Sequence, residues 1–327
     1  MMNVKTTLLI CFVSLALCGS AYAQYEFDPT DVGVGARPLG MGKAFVALAN
    51  DGSAIFMNPA GLPGDHDYKL ISMGGSLMDE IPYSVAGAAF NVFGFVVGIG
   101  YVGVSASGIV GMELIGNTPE ATGENADYAN STVLVNVSNS AERMAVLQDI
   151  AFLRDINLRL GIGVKFIMEG FSGGGEDFDA IGSGYDVDLS SIFDISPDIS
   201  GALVIKNIMP GKNIGWTNSE SELPMVVSPG LNWYLRGLNA NVGICAEFIE
   251  SRGLFWHLGG EWWPISLVAV RAGIDQKPSA GDVYNDLSFG LGTKLEGFTF
   301  DYAFHTYGDL PEFSTHYFSI GYMGDYL

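Results

Sequence analysis

The chain has 327 residues, with 44 Gly, 20 Phe, 14 Tyr and 5 Trp but only 16% charged residues. Its formal net charge of −21 argues against a nucleic-acid partner, whose phosphates it would repel. Beyond the first residues no run approaches the ~18 consecutive apolar residues of a spanning helix, and the apolar content comes as Gly-rich alternation rather than helical stripes. That pattern excludes a helical membrane protein and argues against an ordinary soluble domain.

Residues 1–23 read as a cleavable secretory signal, with Lys5 as the positive start, Leu8 to Leu17 as the apolar run and Ala21-Tyr22-Ala23 as the cleavage site. Lipid attachment at Cys18 is disfavoured because Leu17 is too large for the small residue usual before such a cysteine. Cys11 and Cys18 leave with this leader, so Cys245 stands alone and offers neither a disulfide framework nor a thiolate metal site.

Arg37 to Gly64, within an N-terminal segment 24–66, is the one mature stretch that reads as helix and turn. Ala44, Ala47 and Leu48 fall at helical spacing, and Asn50 or Asp51 suits a cap for a short turn through Phe56. Pro59 pushes Asn58 out of the α region, and Gly61 permits a bend. The expectation is a compact plug enclosed by residues 67–327.

The remainder predicts fourteen strands, at 68–77, 82–93, 95–105, 143–153, 156–169, 180–195, 198–208, 224–236, 239–249, 254–263, 266–275, 285–295, 297–305 and 314–323. Connections alternate between short turns, such as Gly94, Gly237 and Glu296-Gly297, and longer polar stretches at 106–142, 170–179, 209–223, 276–284 and 306–313. Short turns at one end and long loops at the other, with an even strand count, predict an all-β transmembrane antiparallel barrel whose termini share the periplasmic side. In 297–305, Phe298, Phe300, Tyr302 and Phe304 share one face, and Asp301, Ala303 and His305 the other. The apolar face is expected to meet lipid, with Trp216, Trp233, Trp256, Trp262 and Trp263 near the interfaces.

Several strings carry a family resemblance. GARPLGMGKAFVALANDGSAIFMNPAGL, followed in order by KNIMPG, HLGGEWWP, VRAGID and FDYAFHTYGDLPEFSTHYFSIGY, resembles the outer-membrane fatty-acid-transporter (FadL-like) superfamily, and within it the PorV/PorQ branch associated with type IX secretion. The resemblance implies a bacterial outer-membrane barrel in contact with outer-membrane lipids. It implies either passage of a long-chain hydrophobic ligand or, alternatively, binding and shuttling of cargo proteins for secretion machinery, with loops 106–142 and 209–223 as the docking surface. A structural outer-membrane protein is the third alternative.

Candidate site residues follow from the same reading. Arg37, Gly40, Gly42, Asn58 and Pro59 belong to the plug, either as a gate or as a structural cork. Lys165, Glu247, Glu261, Arg271, Lys294 and Asp301, with Asp186 and Asp188, fall on the lumen face as a polar network or a ligand route. Gly87, Gly98, Gly100 and Gly103 are candidates for a weakened wall. Gly40-Met41-Gly42-Lys43 lacks the first glycine and the Ser/Thr of a phosphate loop. His66, His257, His305 and His316 lack metal-ligand spacing, so neither an enzyme, a cofactor nor a metal is expected.

Overall fold

Backbone groups in a lipid core need partners within the protein, and a closed ring of strands supplies them. The computed structural model forms such a ring; it describes residues 28–77, 81–115, 118–147, 149–173, 179–211, 213–216, 219–279, 282–308 and 314–325. The expected signal segment at 1–23 and the first residues of the plug lie outside these. The strands are β1 (Tyr68–Leu77), β2 (Ile81–Val92), β3 (Phe95–Ile115), β4 (Thr118–Ser140), β5 (Arg159–Ser172), β6 (Ala180–Ser196), β7 (Ile199–Lys206), the two-residue β8 (Ile214–Gly215) and β9 (Glu220–Ser221), β10 (Val226–Leu235), β11 (Ala240–Ile249), β12 (Gly253–Ile265), β13 (Val268–Ser279), β14 (Asp282–Leu295), β15 (Phe298–Thr306) and β16 (Ser314–Gly324). All but β8 and β9 build the barrel: each long strand pairs antiparallel with its sequence neighbour, β7 pairs with β10, and β1 with β16 closes the circle.

One end carries tight turns. Phe93-Gly94 and Glu296-Gly297 both take positive φ at two successive residues, the geometry that matches strand twist. At the opposite end the hairpins run on past the ring. Residues 105–115 of β3 continue beyond Val104, which is paired with Tyr83 of β2, and β4 meets β5 only from Asp127.

Two expectations are corrected here. The fourth strand is 118–140, not 143–153, and the expected loop 106–142 is mostly a paired ribbon. Beyond the ring both faces of a strand meet water, so the apolar alternation that marks a strand disappears. Residues 141–158 instead form the longest connection at the turn end, with a 3₁₀ turn at Ala141–Arg143 and a short helix at Ala151–Asp155. Val146, Ile150 and Phe152 imitate strand parity there but are exposed, Val146 at 87%. The segment 209–223 folds back through β8 onto β6.

Parity sorts the wall. Phe289, Leu291, Phe298, Phe300, Phe318 and Ile320 point outward and are about half exposed, while Asp301, His305, Ser288 and Arg271 are buried inside. Trp233, Trp256 and Trp262 point outward. Trp263 departs from the expected girdle: it shares the inward parity of Glu261, and the Arg271 guanidinium carbon lies 5.9 Å from its ring, next to a bulge between Trp262 and Ile265. Trp216 packs with Ile167, Ile214 and Leu223.

Residues 28–62 fill the ring. They include a 3₁₀ turn Pro29–Val32, a helix Ala36–Gly40, a helix Ala54–Met57 and a 3₁₀ turn Pro59–Gly61. Phe45 and Ile55 are fully buried; removing such a side chain from water stabilises by about 1.5–3 kcal/mol.

Candidate functional site

The plug has an apolar side and a charged side. On the apolar side Ile55, Phe56 and Leu62 press on Gly87, Gly98 and Gly100 of β2 and β3, where a methyl group would crowd them. These glycines were expected to weaken the wall. The structure corrects this: β2 and β3 pair without a break from Tyr83↔Val104 to Val92↔Phe95, so the glycines serve as a seat for the plug. A Cβ on Gly103 would meet the Tyr101 ring instead.

On the opposite side the plug backbone from Gly40 to Val46 lies against a row of wall glycines on β10 to β14. A methyl at Gly230 would overlap Val46, one at Gly243 the Ala44 carbonyl, one at Gly259 the Met41 carbonyl and one at Gly273 the Gly42 amide. The plug glycines complete the fit. Gly42 has φ +57°, and a Cβ there would sit 2.6 Å from the Ile274 nitrogen; a Cβ on Gly40 would sit 3.0 Å from the Gly290 Cα. From β11 to β14 main chain therefore meets main chain, and at β10 the Val46 side chain fills the place of the missing Cβ.

Asn58 is fully buried, with extended backbone at φ −164° and ψ 94° before Pro59. Its Nδ2 donates to the Val46 carbonyl at 2.8 Å and to the Ser191 carbonyl of β6 at 3.3 Å, and its Oδ1 accepts from the Ala60 amide at 3.1 Å. One side chain thus ties two plug turns to the wall.

Ion pairs hold the charged side in three groups. Nearest the turn end, Arg37 meets Glu261 with Nε–Oε2 2.7 Å and Nη2–Oε1 2.9 Å, and Asp51 at 2.9 Å. Arg271 shares Glu261 Oε2 at 2.8 Å and reaches Asp301 at 2.7 Å. Burial alone would push the Arg37 guanidinium down, but Glu261 and Asp51 outweigh it and hold its pKa above the ordinary value. Burial likewise opposes ionisation of Asp51, and Arg37 with the Ser53 hydrogen bonds outweighs it, lowering that carboxyl.

The second group lies above the glycine row. Lys43 meets Asp275 at 3.0 Å, His257 bridges Asp275 at 2.7 Å and Glu247 at 3.3 Å, and His305 lies 3.5 Å from Asp275. Lys277 holds Asp286 at 3.2 Å. The histidines looked scattered in sequence, yet His257 and His305 converge on one carboxylate. Asp275, Asp286 and His305 bring one ligand atom each within 4.8 Å of one another. Lys43 and Lys277 already neutralise these carboxylates, so the set belongs to the ion-pair network. In the third group Lys165 meets Asp28 at 2.9 Å and Asp188 at 3.3 Å, while Lys206 meets Asp31 at 3.5 Å. Asp186 accepts hydrogen bonds from Met209 N and Asn213 Nδ2.

The polar residues expected on the lumen face are therefore divided. Glu261, Arg271 and Asp301 meet under the plug; Glu247 and Lys165 belong to the other two groups. Lys294 is exposed at the rim of the turn-end cavity, outside any of the three ion-pair groups, because it lies one pair from the end of β14. Lys43, Asp275 and His305 were missed: parity gives a side chain's face but not its height in the ring. The reciprocal runs HLGGE and VRAGID were the available signal, since antiparallel pairing sets His257 against Asp275 and Glu261 against Arg271.

Space remains mainly at the turn end, where a cavity of about 550 Å³ opens below the plug between Arg37, Lys69, Arg159 and Arg271. Above the plug, the cavity beside Asp31, Lys43 and His257 is about 30 Å³.

The sequence matches no family model and no curated protein. Its fold does have solved counterparts. The Ralstonia pickettii toluene transporter TbuX is similar with TM-score 0.61 at 11% identity, covering 90% of this chain and 99% of that one. The P. putida toluene transporter TodX gives 0.57 at 10% identity, over 90% and 99%. A Pseudomonas aeruginosa FadL homologue gives 0.57 at 11% identity, over 90% and 98%. This chain thus has the fold of the FadL-like channels, a closed antiparallel barrel of fourteen strands.

Proposed function

We propose that the chain is a bacterial outer-membrane barrel that passes hydrophobic small molecules, with the plug as its gate and the turn end, with both termini, in the periplasm after loss of residues 1–23. The observation that carries this reading is the likeness over nearly the whole length to toluene transporters and a FadL homologue. The outward apolar wall and the plug filling the ring are consistent with it. Arg37, Gly40, Gly42, Asn58 and Pro59 would set how firmly the gate is seated, and the buried ion pairs would hold it until solute enters. Uptake of labelled toluene and of labelled oleate by cells expressing the full chain tests the proposal. Uptake above that of cells with an empty vector is expected; uptake of both probes no greater than in those control cells overturns it.

The β3–β4 ribbon favours a second reading, protein binding of the PorV/PorQ kind. Residues 105–115 and 118–126 pair with each other past the point where their pairing with β2 and β5 ends, and a two-stranded ribbon standing clear of the ring is a shape that proteins recognise by strand addition. Shortening this ribbon would abolish co-purification of a surface protein under the second reading and leave uptake intact under the first.

A further inference from the structure

We propose that the turn-end cavity is an oxyanion-binding site, taking a phosphate or carboxylate group. This does not depend on whether a hydrophobic solute passes the plug. The chain holds 15 Lys and Arg against 36 Asp and Glu. Around this one cavity the balance reverses: six Lys or Arg line it, against Asp51, Asp65, Glu142 and Asp301. Six of the 15 Lys and Arg thus line a single cavity, against four of the 36 Asp and Glu.

Two of the six are already satisfied. Arg37 and Arg271 share Glu261 and take Asp51 and Asp301 respectively. Two others are not. Lys69 of β1 is 4% exposed, and its Nζ donates to the carbonyls of Asn50 at 3.0 Å and Gly61 at 3.3 Å. Among the described residues it has no carboxylate partner, and one of its three N–H donors is left for a ligand. Arg159 of β5 has a buried Nε with no acceptor, and its nearest carboxylate is Asp194 at 3.9 Å. Lys69 is a buried cation with no carboxylate in contact, which is costly, and an oxyanion reaching it and the unpaired Nε of Arg159 would offset that cost.

The donor set also suits the ligand class. A guanidinium matches the geometry of phosphate and carboxylate oxygens, and an ammonium adds a point charge. The cavity of about 550 Å³ admits such a group either free in solution or as the head of an amphiphile.

Titration calorimetry on the full chain in neutral detergent, with inorganic phosphate, addresses the free anion. Binding of the reconstituted chain to phosphatidylcholine vesicles with and without phosphatidic acid addresses the headgroup. Saturable binding of either probe is expected, weakened about tenfold or more by Lys69→Met and by Arg159→Gln, each removing a charged hydrogen-bond donor. Lys69→Arg should retain binding, and Lys277→Met, distant in the lumen, should leave it unchanged. Binding to phosphate places the source in solution; binding to phosphatidic acid alone places it in the lipid. No saturable binding of either probe overturns the proposal. So does undiminished binding in Arg159→Gln, a variant that leaves the buried Lys69 site intact and keeps the test available if Lys69→Met does not fold.

Discussion

Arg37 and Glu261 face each other across the boundary between plug and wall in a two-pronged ion pair, with Nε–Oε2 2.7 Å and Nη2–Oε1 2.9 Å. Glu261 is simultaneously held by Arg271 of the neighbouring strand. The wall therefore keeps its carboxylate aimed at the plug even when the plug arginine is absent.

Arg37→Met should cost about 3 kcal/mol, the low end for breaking a buried pair, because Glu261 keeps Arg271. Arg37→Lys should recover part of this, since it restores the charge but not the fork. Denaturant unfolding in detergent measures both, and planar-bilayer recordings should show ion conductance rising from Arg37→Lys to Arg37→Met as the plug loosens. Equal stability of Arg37→Met and the parent would contradict a plug held by this pair.

Gly42→Ala should unseat the plug while leaving the ring assembled. Its φ of +57° already costs a side chain about 1–2 kcal/mol, and the added Cβ would lie 2.6 Å from the Ile274 main chain, which cannot rotate away. Protease sensitivity of the plug should rise, with heat-modifiable gel mobility of the barrel unchanged.

Seating of the plug should also depend on pH through Asp31, in the first 3₁₀ turn of the plug. Burial, together with the Asp28 and Glu247 carboxylates, outweighs Lys206 and raises its pKa to about 6. The folded chain then holds a proton that the unfolded chain has lost above the ordinary value of 3.8. This contribution is complete below that value and is lost as pH rises through about 6. The side chain is 35% exposed, so the effect is small. Hydrogen exchange of plug amides should quicken between pH 5 and 7 in the parent, and Asp31→Asn should flatten the slope.

The outward face yields the sharpest contrast. Phe289→Arg puts a charge on an outward position that is 54% exposed, at a cost of about 2–4 kcal/mol if near the bilayer midplane. Phe289→Leu should be nearly neutral. Folding into liposomes, followed by gel mobility, distinguishes them.

Strands such as β11 and β15 were legible because their side chains alternate between oily and polar. β4 was not, since alternation signals a strand only where one face meets lipid and the other the lumen. The contact of Glu261, Arg271 and Asp301 was legible for a similar reason: they share parity on strands close together near the turn end. Asn58 was legible from the restriction that Pro59 imposes. Lys69, by contrast, is an ordinary strand residue in sequence, and its isolation from carboxylates depends on where the plug comes to rest. The seat of wall glycines required the same knowledge, because their role is to be absent opposite a backbone that arrives from far earlier in the chain.

That seat limits how the plug can travel. Along β11 to β14 no rotamer can swing aside to widen a gap by degrees, so sliding by part of a residue would drive carbonyls into Cα atoms. Displacement there is an all-or-none unlatching, like a bolt leaving its keeper, and a recording of single molecules should find two levels with nothing between them.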